Sequence, residues 1–235
     1  MHTAPSPKTV LITGATGTVG SGLARHFAAK GHTVVLAARD KQRLHALAEQ
    51  IREAKAYPID LANARSIEML AMHLQADGIR PDVLINNAAD VTSKPLLETS
   101  LEEIDHIIRV NVTGTLQLCQ VLGREMAMRG SGAIVNISSL AGYKPNPNQT
   151  AYSISKGALN VASEALRAEL KRYNIHVVNV ALMGVGHGPA QVPVDQVAHR
   201  IERALHNREP EIFFYRRSKW LMRLYAAFPW LARRT

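Results

Sequence analysis

The sequence predicts an α/β protein in which a parallel sheet of about seven strands is covered by helices on both faces. Short β-branched apolar runs alternate along the 235 residues with amphipathic helical patterns, and the first such run enters a helix through a glycine-rich turn. Strands are predicted at 8–13, 33–38, 55–59, 82–86, 132–138, 175–182 and 211–214, and helices at 18–30, 40–52, 63–77, 101–129, 151–173 and 194–207. No repeat or linker divides the chain, so we expect residues 1–235 to form a single domain.

The amino-terminal segment has the pattern of a dinucleotide site. A β-branched run, Lys8–Thr13, leads into Gly14-Ala15-Thr16-Gly17-Thr18-Val19-Gly20 and then into a predicted helix that continues to about Lys30. Glycines allow the backbone to approach a pyrophosphate, and the helix N-terminus offers free N–H groups to it. An ordinary strand–helix turn is the structural alternative.

A second pattern concerns proton transfer. Tyr152 and Lys156 are four residues apart, so they share one face of the predicted helix. Ser139 follows the preceding predicted strand, thirteen residues before Tyr152. An ammonium group beside a phenol favours the phenolate, so we expect Lys156 to lower the Tyr152 pKa. A serine hydroxyl nearby would hydrogen-bond a carbonyl oxygen. Taken alone, the tyrosine–lysine spacing would also fit a solvated helix face.

These patterns together resemble the short-chain dehydrogenase/reductase family, closest to its classical single-domain members, over about residues 8–215. The matching pieces follow in the family's order: the glycine turn, Asp60-Leu61, Asn86-Asn87-Ala88-Ala89, Asn111, Ser139, Tyr152 and Lys156. The resemblance implies a doubly wound Rossmann fold and a catalytic set of Asn111, Ser139, Tyr152 and Lys156. It also implies that Asn111 holds a water that links Lys156 to solvent.

The resemblance further implies which residues bind the cofactor. Asp60 should meet the adenine edge, and Asn86 and Ala88 should line the cofactor groove. The complete predicted set is Gly14, Thr16, Gly17, Thr18, Val19, Gly20, Arg39, Asp60, Leu61, Asn87, Ala88, Ala89, Tyr152 and Lys156. No metal site is expected.

The end of the second predicted strand indicates NADP(H) rather than NAD. An acid at this position would accept from the ribose 2′-hydroxyl of NAD, and Ala38 stands there instead. Arg39 could bind a 2′-phosphate with its guanidinium group. The alternative is that Arg39 is solvated and Asp40 only caps the next helix.

Two departures from the family leave alternative functions open. The glycine spacing, with Thr18 at the usual middle glycine, resembles the extended members, which include nucleotide-sugar epimerases, and Met183-Gly184 replaces the common Pro-Gly. We therefore consider an NADP(H)-dependent ketone or aldehyde reductase (or the matching alcohol dehydrogenase), an NAD-dependent nucleotide-sugar epimerase or dehydratase, and a non-catalytic NADP-sensing module. The short chain and the complete catalytic set favour the reductase.

Composition excludes several classes of protein. Cys119 is the only cysteine, so an internal disulfide and a cysteine-rich metal site are excluded, and its apolar helical context predicts a buried thiol. No signal-peptide pattern or membrane-spanning apolar run is visible, so we expect a cytoplasmic protein. The substrate is expected to be a small carbonyl compound or alcohol, apolar if the tail contacts a membrane. It should contact 90–94, 140–149 and 183–192, and the last of these ranges includes His187.

The carboxyl-terminal tail is basic and amphipathic. Net charge is +9, and residues 215–235 contain six basic residues and no acid. On a helix, Leu221, Leu224, Tyr225 and Phe228 would share one face, Arg216, Lys219 and Arg223 would share another, and Trp220 and Trp230 would lie near the ends. The pattern fits peripheral contact with an anionic membrane, but Pro229 limits the helix to about three to four turns, which favours docking on the protein itself or on a second subunit. Nucleic acid is not expected, since no binding motif accompanies these bases.

The family also implies a homodimer or homotetramer. The two long predicted helices, 101–129 and 151–173, would pack on their counterparts in a second subunit. The second of them is rich in small residues such as Ala158, Ala162 and Ala165, which permit close approach between helices.

Overall fold

A computed structural model describes residues 6–184, 191–214, 220 and 224. Within the described residues, seven strands form one parallel sheet: β1 (Thr9–Thr13), β2 (Thr33–Ala38), β3 (Lys55–Pro58), β4 (Val83–Asn86), β5 (Gly132–Ser139), β6 (Ile175–Leu182) and β7 (Glu211–Phe213). In the ranges 6–184 and 191–214, seven α-helices accompany them: α1 (Thr18–Ala29), α2 (Lys41–Glu49), α3 (Ala64–Ala76), α4 (Leu101–Ile108), α5 (Thr115–Arg129), α6 (Thr150–Leu170) and α7 (Val194–Asn207). The predicted fold class is confirmed, and each strand begins and ends within one residue of its predicted bounds.

The strand order is β3-β2-β1-β4-β5-β6-β7. The chain therefore moves outward in one direction from β1 to β3 and then crosses to the other side of β1 to continue with β4. In open parallel sheets, a crevice forms at the carboxyl ends of the strands where the order reverses. Here that point lies between β1 and β4.

Apolar side chains cover both faces of the sheet, as the uninterrupted apolar strands predict. Successive residues of β1 alternate between the faces: Val10 and Ile12 belong to one core, and Leu11 belongs to the other. Helices α1, α2 and α7 contribute to the first core, and α3 and α5 contribute to the second. The sheet is thus fixed on both sides, and its strand ends provide a rigid base for a site.

The predicted helix over 101–129 is wrong in one respect. A π-helical turn, Arg109–Gly114, separates α4 from α5. A Cβ atom on Gly114 would lie 2.0 Å from the carbonyl oxygen of Leu61, so only glycine allows the turn to approach that close. π-Helical turns inside helices are frequent at functional sites, and this one contains Asn111.

Two predicted features lie largely outside the described residues. His187 lies in the segment 185–190, which is outside the described residues. Of the tail, residues 215–235, only Trp220 and Leu224 are described; both are helical, and both are exposed. Among the residues that the structure describes, no helix has the length and apolar character needed to cross a bilayer.

Candidate active site

Hydrogen bonds tie the glycine turn to the end of β4. The hydroxyl of Thr13 accepts the backbone N–H groups of Asn87 at 3.0 Å and Ala88 at 3.1 Å, and the Asn87 amide donates to the carbonyl oxygens of Thr13 at 3.0 Å and Gly14 at 3.2 Å. Gly14 has a φ of +62°, and a Cβ atom there would lie 2.8 Å from Ala88 Cα. Both the conformation and the close contact require glycine.

The turn delivers the amino end of α1 to the crevice without a side-chain cap. Gly17 is the N-cap residue, no side chain bonds the first N–H groups, and the first turn contains no acid. Such a helix end suits an anionic group, and a pyrophosphate fits it. Gly20 has a different role from the one predicted: its Cβ would lie 2.3 Å from the Gly14 carbonyl oxygen, so it permits close packing and does not line the crevice.

A cleft of about 400 Å³ follows from this turn across the carboxyl ends of β2, β3 and β4. Eleven predicted cofactor residues line it: Gly14, Thr16, Gly17, Thr18, Val19, Arg39, Asp60, Leu61, Asn87, Ala88 and Ala89. Asn86 does not line the cleft, contrary to prediction, because its side chain is buried. The Asn86 amide donates to the Asn136 side chain at 2.8 Å and to the Cys119 sulfur at 3.2 Å. Cys119 is buried as predicted, and burial raises its pKa to about 12.

The end of the cleft near β2 is basic, but its arginines already have partners. Ala38 is the last residue of β2, so no acid stands at the strand end. Arg39 donates to the Asp90 carboxylate at 3.1 Å, and Arg43, which the sequence reading missed, donates to the Thr16 carbonyl oxygen at 2.9 Å. Asp40 accepts from the Arg43 backbone N–H and caps α2, as the alternative interpretation held.

Two of the four predicted catalytic side chains, Ser139 and Tyr152, meet where β5 ends beside α6. Ser139 is the last residue of β5, and its hydroxyl accepts from the Ala141 backbone N–H at 3.1 Å. It also hydrogen-bonds Tyr152 on the first turn of α6. A hydroxyl pair is thus held at the carboxyl edge of the sheet, the edge that also carries the cleft. Neither Tyr152 nor Lys156 lines the cleft itself.

Lys156 is buried one turn after Tyr152. Its side chain is 3% exposed, and its Nζ donates to the Ile137 carbonyl oxygen at 2.8 Å. Burial lowers the pKa of Lys156 to about 8. Gly142 makes this packing possible, since a Cβ there would lie 2.6 Å from the carbonyl carbon of Lys156.

The expected effect of Lys156 on Tyr152 is not found. Burial raises the pKa of Tyr152, and the hydrogen bond with Ser139 lowers it by a smaller amount. Lys156 Nζ lies 5.7 Å from the centre of the tyrosine ring and is directed at a backbone carbonyl. The Tyr152 hydroxyl is therefore held in its protonated form.

The Asn111 side chain hydrogen-bonds the backbone of Asp90 and the hydroxyl of Ser155. Its amide nitrogen donates to the Asp90 carbonyl oxygen at 2.8 Å and to the Ser155 hydroxyl at 3.0 Å, so both of its hydrogens are used. Its oxygen accepts from the Asp90 backbone N–H at 2.8 Å. The Ser155 hydroxyl in turn lies 2.7 Å from the carbonyl oxygen of Tyr152. The buried amide thus joins the cleft to the first turn of α6.

A second hydrogen-bond network lies beneath the site, and the sequence did not predict it. The hydroxyl of Ser138 lies 2.5 Å from the Asn160 oxygen, and the Asn179 amide donates to that same oxygen at 3.0 Å and to the Tyr143 hydroxyl at 3.1 Å. These contacts fix Tyr143 in the loop between Ser139 and α6. Only the succession of asparagines in neighbouring strands could have signalled them. Within the described residues, no cluster of three or more His, Cys, Asp or Glu side chains is arranged to hold a metal.

Known proteins resemble this chain in sequence. Residues 8–194 match the short chain dehydrogenase family. An uncharacterized oxidoreductase of Thermotoga maritima is 33% identical over 178 residues, which cover 74% of this chain and 70% of that protein. The probable oxidoreductase EphD of Mycobacterium tuberculosis is 33% identical over 176 residues, which cover 73% of this chain but only 30% of EphD.

Solved structures extend the likeness to the fold. A short-chain dehydrogenase from Sphingobium yanoikuyae in complex with NADPH has a TM-score of 0.84 at 28% identity and covers 97% of this chain and 95% of its own. A bulky-bulky ketone specific alcohol dehydrogenase from Comamonas testosteroni has a TM-score of 0.82 at 27% identity, covering 96% and 94%. NAD⁺-bound xylitol dehydrogenase has a TM-score of 0.72 at 29% identity, covering 77% and 72%. The chain therefore belongs to the short-chain dehydrogenase/reductase family, and it is an oxidoreductase that uses a nicotinamide cofactor.

Proposed function

We propose that the protein reduces a ketone or aldehyde with NADPH, or oxidises the matching alcohol, through Tyr152 as the general acid or base. The observation that carries this proposal is the hydrogen bond between Ser139 and the Tyr152 hydroxyl, at the carboxyl edge of the sheet where the cleft also opens. The bound cofactor would supply the hydride. The protein's own residues would bind the substrate oxygen and deliver the proton.

Each of the four residues takes a role that fits its contacts. Tyr152 gives its proton to the oxygen that gains negative charge, and burial supports this by keeping the hydroxyl protonated at neutral pH. Ser139 donates a hydrogen bond to that oxygen. Lys156, whose pKa burial lowers to about 8, would return a proton toward Tyr152 after turnover, and for this its ammonium would have to leave the Ile137 carbonyl oxygen. Asn111 positions Asp90 and the first turn of α6 without touching the substrate.

The preference for NADPH over NADH rests on the residues around the end of β2. Ala38 places no carboxylate at the end of β2 itself, and the guanidinium groups of Arg39 and Arg43 line this end of the cleft together with Asp40 and Asp90. Arg39 would have to exchange Asp90 for the phosphate, which carries more charge and offers more acceptor oxygens. The neighbour that binds NADPH supports this choice, while the NAD⁺-bound neighbour shows that the fold accepts either.

A ketone substrate is supported by the Comamonas enzyme, which is specific for bulky-bulky ketones. The test is a panel of ketones and aldehydes of increasing size, with oxidation of NADPH and of NADH followed in parallel. We expect turnover of at least one ketone, with kcat/KM higher for NADPH than for NADH. Equal use of both cofactors would overturn the cofactor assignment, and no turnover of any carbonyl despite tight NADPH binding would overturn the reductase assignment.

A further inference from the structure

An ion pair joins two of the strand ends that form the cofactor cleft. Arg39 follows β2, Asp90 comes after β4, and both side chains line the cleft. The Arg39 guanidinium donates to both carboxylate oxygens of Asp90, at 3.1 Å from Nη2 and 3.4 Å from Nη1. The sequence placed Asp90 among the residues expected to contact substrate. In the structure it instead holds the cation that is proposed to bind the 2′-phosphate of the cofactor.

Asp90 is the carboxylate of the cleft that engages this cation. Of the described residues that line the cleft, two are arginines, Arg39 and Arg43, and three are aspartates, Asp40, Asp60 and Asp90. The Asp40 and Asp60 carboxylates accept from backbone N–H groups two or three residues further along the chain. The Asp90 carboxylate accepts from the Arg39 side chain, so this aspartate competes directly with any anion that Arg39 could bind.

The backbone of Asp90 is fixed, so Arg39 is the member of the pair that can move. The Asn111 side chain accepts from the Asp90 backbone N–H at 2.8 Å and donates to the Asp90 carbonyl oxygen at 2.8 Å. The Arg39 side chain is 57% exposed, whereas that of Asp90 is 27% exposed. A bound phosphate would therefore have to draw the guanidinium away from a carboxylate that stays in place.

His106 gives the same carboxylate a second partner. Its Nε2 lies 2.7 Å from Asp90 Oδ2, and because an ionised carboxylate only accepts, this nitrogen carries a hydrogen and donates it. His106 lies in the last turn of α4 and is not among the described residues that line the cleft. When Arg39 leaves, the hydrogen bond from His106 remains, so the carboxylate keeps a donor. His106 thus makes the release of Arg39 less unfavourable.

We propose that Asp90 determines cofactor specificity by competing with the 2′-phosphate of NADP(H) for Arg39, and that His106 is a positioning residue that holds Asp90 when Arg39 leaves. NADH has no such phosphate, so Arg39 stays on Asp90 when NADH binds. The ion pair therefore lowers the affinity for NADPH and leaves the affinity for NADH unchanged. This inference rests on the proposed use of NADP(H), and it makes Asp90 the residue that limits the preference.

The nucleotides 2′,5′-ADP and 5′-AMP differ by the 2′-phosphate alone, so calorimetry with both measures its recognition without turnover. Asp90→Asn should tighten binding of 2′,5′-ADP about fivefold, the strong end of the range for a partly exposed ion pair, and change binding of 5′-AMP by less than about twofold. Asp105→Asn is the matched control, since it removes the same charge and an ion pair with Arg109 that does not line the cleft. It should leave both affinities within about twofold, because exposed charges outside the site are screened.

A double-mutant cycle separates competition for Arg39 from simple repulsion between Asp90 and the phosphate. Asp90→Asn should tighten 2′,5′-ADP binding when Arg39 is present. In the Arg39→Ala background it should change binding little, because no guanidinium has to be released. An equal gain in both backgrounds would show that the carboxylate only repels the phosphate, and it would overturn the proposal. So would an unchanged affinity of Asp90→Asn for 2′,5′-ADP.

Variants of His106 test its positioning role. His106→Ala should weaken 2′,5′-ADP binding about threefold, because the released Asp90 carboxylate loses its remaining side-chain donor. His106→Gln keeps a donor and should restore most of the affinity. The control is His73→Ala, at an exposed histidine on α3, which should bind normally. Equal losses in the alanine and glutamine variants, or no loss in either, would refute the role of His106.

These measurements also distinguish the inference from the proposed function. Suppose that the unmodified protein binds NADH as tightly as NADPH, but Asp90→Asn still shifts binding toward 2′,5′-ADP. The proposed preference for NADPH would then be wrong, and the competition between Asp90 and the phosphate would stand. If the expected changes in affinity occur in a protein that reduces no ketone, only the proposed reductase is refuted.

Discussion

Replacing Lys156 with Met should stabilise the protein while abolishing turnover. The Lys156 ammonium is buried, and its pKa falls from an ordinary 10.5 to about 8. At about 1.4 kcal/mol for each pKa unit, holding this charge in the folded protein at pH 7 costs about 3 kcal/mol. Methionine is similar in length but uncharged, and it loses one hydrogen bond to Ile137 that is worth about 1 kcal/mol. The net gain should be about 2 kcal/mol.

The pH dependence of unfolding shows whether the added stability of Lys156→Met comes from removing a buried charge or from better packing. Because the folded pKa of Lys156 lies below the unfolded value, the unfolded chain binds more protons between about pH 8 and pH 10.5. The stability of the unmodified protein therefore rises with pH across that window, and the advantage of Lys156→Met is largest below pH 8 and disappears by about pH 10.5.

Urea denaturation from pH 7 to pH 10.5 measures the gain in the free energy of unfolding and its dependence on pH. In thermal unfolding at pH 7, the melting temperature should rise by about 4–8 °C, from about 2–4 °C for each kcal/mol in a chain of this size. The exposed Lys171→Met serves as the control and should change stability little. A Lys156→Met protein that is less stable than the unmodified protein, by an amount independent of pH, would refute the reasoning.

Other contacts predict further outcomes. Arg39→Ala should weaken NADPH binding about tenfold to a hundredfold and leave NADH binding nearly unchanged. Calorimetry measures both affinities, with Arg52→Ala as the control. Equal losses of affinity for both cofactors would exclude contact between Arg39 and the 2′-phosphate. Asn111→Ala should lower the free energy of unfolding by about 1–3 kcal/mol, because three hydrogen bonds of a buried amide disappear; unchanged stability in urea would contradict this. Sedimentation at micromolar concentration should show a dimer or tetramer, since Met128 and Val161 expose apolar surface on α5 and α6, and a monomer would count against it.

Local patterns in the sequence were sufficient for the fold. Most strands are short apolar runs, although β3 contains Lys55 and Pro58 and β7 begins with Glu211. The helices have their own apolar period, so the order of elements follows without knowledge of long-range contacts. The interruption of 101–129 could not be predicted in this way. It depends on the contact between Gly114 and Leu61, which are far apart in the chain. An apolar period does not distinguish a π-helical turn within a longer helix.

The same limit applies to the candidate site. The residues that line the cleft follow strand ends, so their positions were predictable from the strand assignments. Their partners were not: Arg39 pairs with Asp90, which lies 51 residues further along the chain. Strand alternation would have separated Asn86 from Asn87, since neighbouring residues of a strand point to opposite faces. The lowered pKa of Lys156 results from its burial. That burial depends on the packing of Gly142 and Ile137 against Lys156, which the sequence alone does not show.

The most direct test of the proposed chemistry is single-turnover reduction of a ketone by the Tyr152→Phe protein preloaded with NADPH. Phenylalanine keeps the ring and removes the proton donor, so the rate of NADPH oxidation should fall roughly a hundredfold or more while the affinity for NADPH stays within about twofold. Tyr173→Phe, an equivalent change in the turn that follows α6, should leave the rate unaltered. Near-normal reduction by Tyr152→Phe would contradict the assignment of Tyr152 as the proton donor.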